Sequence, residues 1–282
     1  MFSITLFGVP TKQQDIILQR NFYSNNPFRF FNTIHNLQFT THLRYFIQIS
    51  YKGTAYNGWQ IQPNGVTVQE KIQKVLSTTL RHEIELVGSG RTDTGVHASL
   101  QVAHFDTEKV LTNQNLRQWN GMLPKDISIN NIEEVNPTAH ARFDATLRSY
   151  EYRISMKKNV FLTDLAYFYL GKTDIVLMNL AAKQLLEHKD FECFSKVKTQ
   201  KDNFLCNITV AEWVEVDNLL VFKISANRFL RGMVRAIVGT LLEIGAGKRN
   251  FDDFSEILTS KNRQKAGHAA PPEGLFLVDV RY

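Results

Sequence analysis

The sequence predicts an α+β protein built of two sheet-and-helix halves. Short strand-like segments rich in aromatic and β-branched residues recur along the chain, and segments of helical period fall between them. The same mixture appears twice, in halves of similar length. The 282 residues, 43% of them hydrophobic, suit one large domain or two ordinary ones with a proper core. No short-period repeat is visible.

Each element follows from a local pattern. RYFIQISY (44–51) mixes aromatic and β-branched residues and reads as a strand. The polar loop KGTAYNGWQIQPNG follows it. Thr67, with Glu70 three residues later, offers a capping box. Val68, Ile72, Val75, Leu76 and Leu80 then recur at helical spacing, so a helix runs to about Arg81. Residues 84–87 form a short strand, 100–105 a strand, 113–119 a short helix and 127–135 another strand. In the second half, 150–154 alternates as a strand and 175–187 is an amphipathic helix. Residues 206–216 and 219–226 are two strands joined by Asp217-Asn218, a turn pair. Residues 229–244 form a long apolar helix ended by Gly245-Ala246-Gly247. A short helix at 253–260 and a strand at 275–280 complete the chain.

Residues 1–42 read differently. They hold seven phenylalanines, many asparagines and a single acid, Asp15. The apolar run near residue 4 has no basic flank before it, which argues against a secretory signal, and three basic residues are few for a transit peptide. A non-essential or mis-started extension is the expectation. The chain therefore divides into this extension (1–42), an N-terminal α/β domain (43–145) and a C-terminal one (146–282).

Lys and Arg number 33 against 27 Asp and Glu, a formal charge of +6. That balance favours a polyanionic partner without requiring one. The two cysteines, Cys193 and Cys206, form no CxxC pair and have no His cluster beside them. They read as two free thiols in a reducing cytosol rather than a zinc site. No apolar run approaches the ~18 residues of a membrane span.

The stretch GSGRTDTGVHA (88–98) sets one carboxylate, Asp93, among three glycines and an arginine. A dinucleotide fingerprint would need glycine where Asp93 stands, a P-loop would end in GK[ST], and a calcium loop would need several acids. Two readings remain. Glycines permit positive φ and close approach to a ligand, so Asp93 can act as a nucleophile on an electrophilic carbon, with Arg91 holding it ionised or meeting a phosphate. Alternatively it is an Asx-type turn that satisfies backbone amides.

GRTDTGVHA (90–98) resembles the signature of the tRNA pseudouridine synthase A family. The likeness extends to YKGTAYNGWQ (51–60), RFDA (142–145) with RSYEY (148–152), NRFLRGMVR (227–235) and APPEGL (270–275), in order along the chain from about residue 43. The resemblance implies two α/β domains, each with an antiparallel sheet, joined into one extended sheet with a central active-site cleft. It implies an isomerase that converts uridine to pseudouridine in the anticodon arm of tRNA, at nucleotides 38, 39 and 40 in tRNA numbering. It also implies a cytoplasmic homodimer that needs no cofactor or metal.

By the same resemblance Asp93 is the catalytic nucleophile, attacking C1′ or, in the other route, adding to C6 of uracil. Tyr150 is the active-site aromatic that stacks on the extruded uracil, and Arg235 the active-site arginine. Its planar guanidinium suits holding the Asp93 carboxylate through two parallel hydrogen bonds. Arg91, Arg142, Arg148 and Arg231, with Lys52 and Arg228, are candidate contacts to the tRNA backbone. His97 is assigned a structural place in the turn, and Lys248-Arg249 either touches RNA or caps a helix end. Two other functions stay in view: a pseudouridine synthase acting on another RNA, and a non-catalytic RNA-binding module of RRM-like fold, which has no need of an Asp in a GRTD turn.

Overall fold

A computed structural model describes residues 42–196 and 203–282. The extension expected at 1–42 lies outside the described residues, His42 excepted. The first strand, β1 (Leu43–Tyr51), buries Tyr45, Ile47, Ile49 and Tyr51 at its alternate positions. Helix α1 (Val68–Leu80) starts at the expected capping box, with Thr67 and Glu70 exchanging side-chain and backbone hydrogen bonds. It ends at Arg81, which takes the left-handed conformation.

The strand expected at 84–87 pairs only over β2 (Val87–Gly88). Its preceding residues face α1 instead, where Gln69 and Gln73 bond the carbonyl and amide of Leu86. Strand β3 (His97–Thr107) is longer than its apolar run suggested, and α2 (Asn113–Met122) runs one turn past residue 119 to bury Trp119. The strand β4 (Ile127–Val135) has the expected bounds.

In the second half β5 (Leu147–Ser155) carries a two-residue parallel partner, β6 (Tyr167–Phe168). Helix α3 (Ile175–Glu187) is capped by the Asp174 side chain. Strands β7 (Ile208–Val216) and β8 (Leu219–Ala226) form a hairpin whose turn residues, Asp217 and Asn218, have φ of 50° and 64°. Such a two-residue turn matches the twist of its strands. Helix α4 (Met233–Gly245) starts four residues later than its apolar pattern suggested, because Gly232, at φ 71°, breaks the helical path. Helix α5 (Phe251–Ser260) and strand β9 (Leu275–Arg281) follow.

The nine strands of the described residues join one mixed sheet, in the order β4-β1-β3-β9-β5-β8-β7, with β2 on β3 and β6 on β5. Most pairs are antiparallel. The central join is not: β3 and β9 pair in parallel through His97–Phe276 and Ala98–Leu277 alone. Side chains reinforce this short seam. The Phe276 ring stacks on His97 at 4.5 Å and carries the Arg153 guanidinium at 4.0 Å. The Tyr152 hydroxyl donates to the Pro271 carbonyl at 2.8 Å.

Two hydrophobic clusters lie along the sheet, one around α1, α2 and β1, the other around α3, α4, α5 and β8. Each borrows across the seam: Val96 packs into the second, Leu277 and Val280 into the first. Tyr150 packs against both. Among the described residues no helix is long and apolar enough to cross a membrane, and both cysteines are buried.

Candidate active site

The loop between β2 and β3 is pinned from several sides. The Ser89 amide donates to Val102 O at 2.7 Å, and Gln101 bonds both the Ser89 hydroxyl and the Gly90 carbonyl. The Tyr51 hydroxyl, at the end of β1, meets the Thr92 hydroxyl at 2.8 Å. The Trp59 amide donates to the Thr92 carbonyl, and the Gly95 amide to Tyr56 O. Gly58, at φ 82°, lies so close to that Thr92 carbonyl that a Cβ would overlap it. Asp93 closes the turn by accepting from the Val96 amide at 3.1 Å through its backbone, which leaves the side chain free to face elsewhere.

That side chain faces two arginines. Arg235 Nη1, on the first turn of α4, lies 3.7 Å from Asp93 Oδ2, and Arg231 Nε lies 3.9 Å from Oδ1. Both are ion pairs beyond hydrogen-bonding distance. The expected two-bond fork on Asp93 is therefore not formed. Arg235 commits its Nε to the Ala270 carbonyl at 2.6 Å, while the Ala270 amide donates back to Arg235 O. One edge of the guanidinium is thus anchored to the chain before β9, and the other is aimed at Asp93. Asp93 and Arg235 are 28% and 21% exposed, whereas Arg231 is 62% exposed. A partly dehydrated ion pair is screened less than a surface one.

Tyr150 on β5 stands at the seam, its ring edge-on to Phe229 at 5.2 Å. Burial, then the negative charge of Asp93, raises its phenol well above the ordinary tyrosine range. The hydroxyl stays protonated at neutral pH and able to donate. Arg91 and Arg142 are exposed on the same rim. Partial burial and the fields of Arg142 and Arg231 lower the Arg91 guanidinium, so the three cations share one region.

Arg148 corrects an expectation. It does not offer its fork to a phosphate, because both terminal nitrogens are occupied by backbone. Nη1 donates to Ala145 O at 2.6 Å and Asn227 O at 2.8 Å; Nη2 donates to Arg142 O at 2.6 Å and Ser89 O at 3.0 Å. It joins three loops: the Asp93 loop, the 142–145 loop and the loop before α4. Its partners are carbonyls, present at every residue, so nothing in the sequence singled them out.

His97 is buried, with Nδ1 accepting from the Gly53 amide at 3.0 Å and Nε2 facing Glu273 O at 3.2 Å. Burial lowers its pKa, so it sits as a neutral crosslink between the loop and the segment before β9. Lys52 pairs with Asp164 at 3.7 Å, Arg249 pairs with Glu243, and Arg228 is partly buried. Sequence reasoning missed the Tyr51–Thr92 bond and the Gly58 contact, although both residues stand in the YKGTAYNGWQ stretch. Among the described residues no group of three or more His, Cys, Asp or Glu side chains comes together as a metal site.

A family model described as tRNA pseudouridine synthase matches residues 47–144 and 181–282. Relatives bearing the name tRNA pseudouridine synthase A are similar over most of their length. One from Bacteroides thetaiotaomicron is 50% identical over 243 residues, 85% of this chain and 90% of the relative. One from Bacteroides fragilis is 50% identical over 242 residues, 85% and 96% of the two chains. One from a Geobacillus species is 42% identical over 238 residues, 83% and 96%. The matched segments contain the Asp93 loop, the 142–144 loop and α4, and the chain belongs to the tRNA pseudouridine synthase family of isomerases.

Proposed function

We propose that this protein isomerises uridine to pseudouridine in tRNA, at nucleotides 38, 39 and 40 of the anticodon arm, acting in the cytoplasm as a homodimer. The observation that carries the reading is the Asp93 carboxylate, set between Arg235 and Arg231 on a pinned loop beside Tyr150. The printed names of the relatives support tRNA as the substrate. We further read residues 43–145 and 146–282 as two domains sharing one sheet, and 1–42 as an extension not needed for activity.

In the reaction the N1–C1′ bond breaks, the uracil turns, and a C5–C1′ bond forms. The proton on C5 leaves and N1 gains one, so the change is neither redox nor net hydrolysis. Asp93 serves as the nucleophile that holds the reacting carbon between bond breaking and bond making. Arg235, fixed on Ala270 O and 3.7 Å from the carboxylate, keeps it aimed. The Tyr150 ring stacks on the extruded uracil, and its protonated hydroxyl can donate a hydrogen bond to that base. Extrusion of a stacked base costs a few kcal/mol. Arg91, Arg142 and Arg231 offset it by gripping phosphates, whose counterions are released on binding.

The test uses tRNA carrying 5-tritiated uridine. Wild type releases tritium as C5 loses its hydrogen; Asp93→Asn releases none, yet retains tRNA in a filter-binding assay. Near-wild-type release by Asp93→Asn sinks the assignment of Asp93. Pseudouridine mapping of tRNA from cells with and without the protein tests the positions, with loss expected at 38–40.

A further inference from the structure

The 139–145 loop presents an exposed aromatic ring on a rigid base. The Ala141 amide donates to His104 Nδ1 on β3 at 3.2 Å, and the Tyr282 hydroxyl donates to the Ala141 carbonyl at 2.8 Å. The His104 ring meets the His140 ring at 4.7 Å. His140 Nδ1 accepts from the amides of Arg142 and Phe143 at 3.1 and 3.2 Å, and its own amide donates to Asp144 Oδ2 at 2.7 Å. Burial and the nearby Arg44 push His104 down to about 4, so it is neutral at pH 7 and keeps the lone pair that holds Ala141. On this stack lies the Phe143 ring, 4.2 Å from His140 and 75% exposed.

Single exposed apolar side chains need no explanation in general. Phe161 is one such, 87% exposed, with no ring or guanidinium contact among the described residues. Phe143 differs in three respects. One face is backed by His140 while the rest of the ring is open. The Arg142 guanidinium lies 5.7 Å from its centroid. And Arg148 ties the Arg142 carbonyl and the Ser89 carbonyl of the Asp93 loop to one nitrogen, so the ring's position is coupled to that of the reacting group. An open aromatic face among arginines matches the pattern of a single-strand nucleic-acid groove, in which cations track the backbone and rings carry the bases.

We propose that Phe143 is a stacking platform for a nucleobase of the bound RNA other than the reacting uridine, positioning the strand across the rim formed by Arg142, Arg91 and Arg231. The reacting base belongs beside Asp93, where Tyr150 already supplies the ring. The proposal rests on RNA being the substrate, as argued above. Its partner is RNA rather than a second protein surface because the guanidinium over the ring, Arg142, shares its region with Arg91 and Arg231, cations that repel one another, while the one neighbouring carboxylate, Asp144, is held by the His140 amide.

The experiment uses the full chain and an RNA hairpin with the sequence of a tRNA anticodon arm. Phe143→Ala is expected to raise KM about ten- to a hundredfold, the range of base–aromatic stacking, with kcat at saturation nearly unchanged. Phe143→Tyr and Phe143→Trp restore KM; Phe143→Leu does not. The native tryptophans Trp59, Trp119 and Trp213 are all buried, so the indole introduced by Phe143→Trp is the one exposed reporter, and RNA quenches its emission stoichiometrically. Unchanged KM in Phe143→Ala, full rescue by Phe143→Leu, or an indole that saturating RNA leaves unquenched overturns the platform. An emission shift that follows protein concentration without RNA overturns it in favour of contact between copies. If the hairpin binds and quenches while wild type forms no pseudouridine in it, the platform stands and the reaction assignment falls. If wild type is active and Phe143→Ala matches it, the reverse holds. Wild type that binds no RNA overturns both.

Discussion

The β7–β8 hairpin and the β3–β9 seam belong to one sheet but are held in opposite ways. The hairpin exchanges eight register pairs and turns at two adjacent residues. The seam has two pairs, and its support comes from far along the chain: His97 to Glu273, 176 residues away; Tyr152 to Pro271, 119 away; Arg148 to Ser89, 59 away. Hairpins form locally and quickly, whereas non-local pairings carry the loop-closure cost before their contacts form. The site sits at the non-local end. Asp93 lies on a loop leading into the seam, and Arg235 is anchored to the chain just before β9. Its geometry therefore depends on both halves being docked.

Three substitutions sharpen the contrast. The largest effect is expected from Arg148→Met, which leaves four carbonyls without their shared donor. Hydrogen bonds from a charged group contribute roughly 1.5–3 kcal/mol each but are not additive, so a loss of about 2–4 kcal/mol is expected. Urea unfolding measures it, and single-turnover rates should fall about a hundredfold or more as three loops shift. A stable, fully active Arg148→Met would mean that the loops hold themselves. Arg235→Lys comes next: the ammonium cannot bond Ala270 O and face Asp93 with one rigid plane. Turnover should fall about ten- to a hundredfold, with tRNA affinity and unfolding midpoint near wild type. Collapse of affinity with turnover at saturation preserved would make Arg235 a phosphate contact. The smallest effect lies at the hairpin. Asn218→Val puts a β-branched residue at φ 64° and should cost about 1–2 kcal/mol in stability, with activity on tRNA unchanged. Reduced single-turnover rates there would show that strain in the hairpin reaches the seam.

The same contrast decides what was legible in the sequence. The Asp217-Asn218 turn, the Thr67–Glu70 capping box and the bounds of α3 and β4 are written in neighbouring residues, and each was read correctly. The apolar spacing continues through Phe229 and Leu230 and so places the start of α4 too early; only the backbone at Gly232 stops the helix. The parallel join was invisible, since two paired residues leave no periodicity. At the site, the motif named Asp93, Tyr150 and Arg235, and the structure brings Asp93 and Arg235 together. It could not reveal that Arg235 shares its guanidinium with Ala270 O, or that Arg148 serves backbone instead of substrate. A carbonyl partner has no residue identity to read.

The position of β9 has a consequence for biosynthesis. It lies in the middle of the sheet, between β3 and β5, yet it follows every other strand in the chain. A ribosome therefore completes both flanking strands before their common neighbour exists. Until residues 275–281 emerge, β3 and β5 each present an edge of unpaired amides and carbonyls beyond the two residues that β2 and β6 cover, the surface on which nascent chains associate wrongly. The nascent protein needs shielding there longest at the two strands that will border the seam beside Asp93.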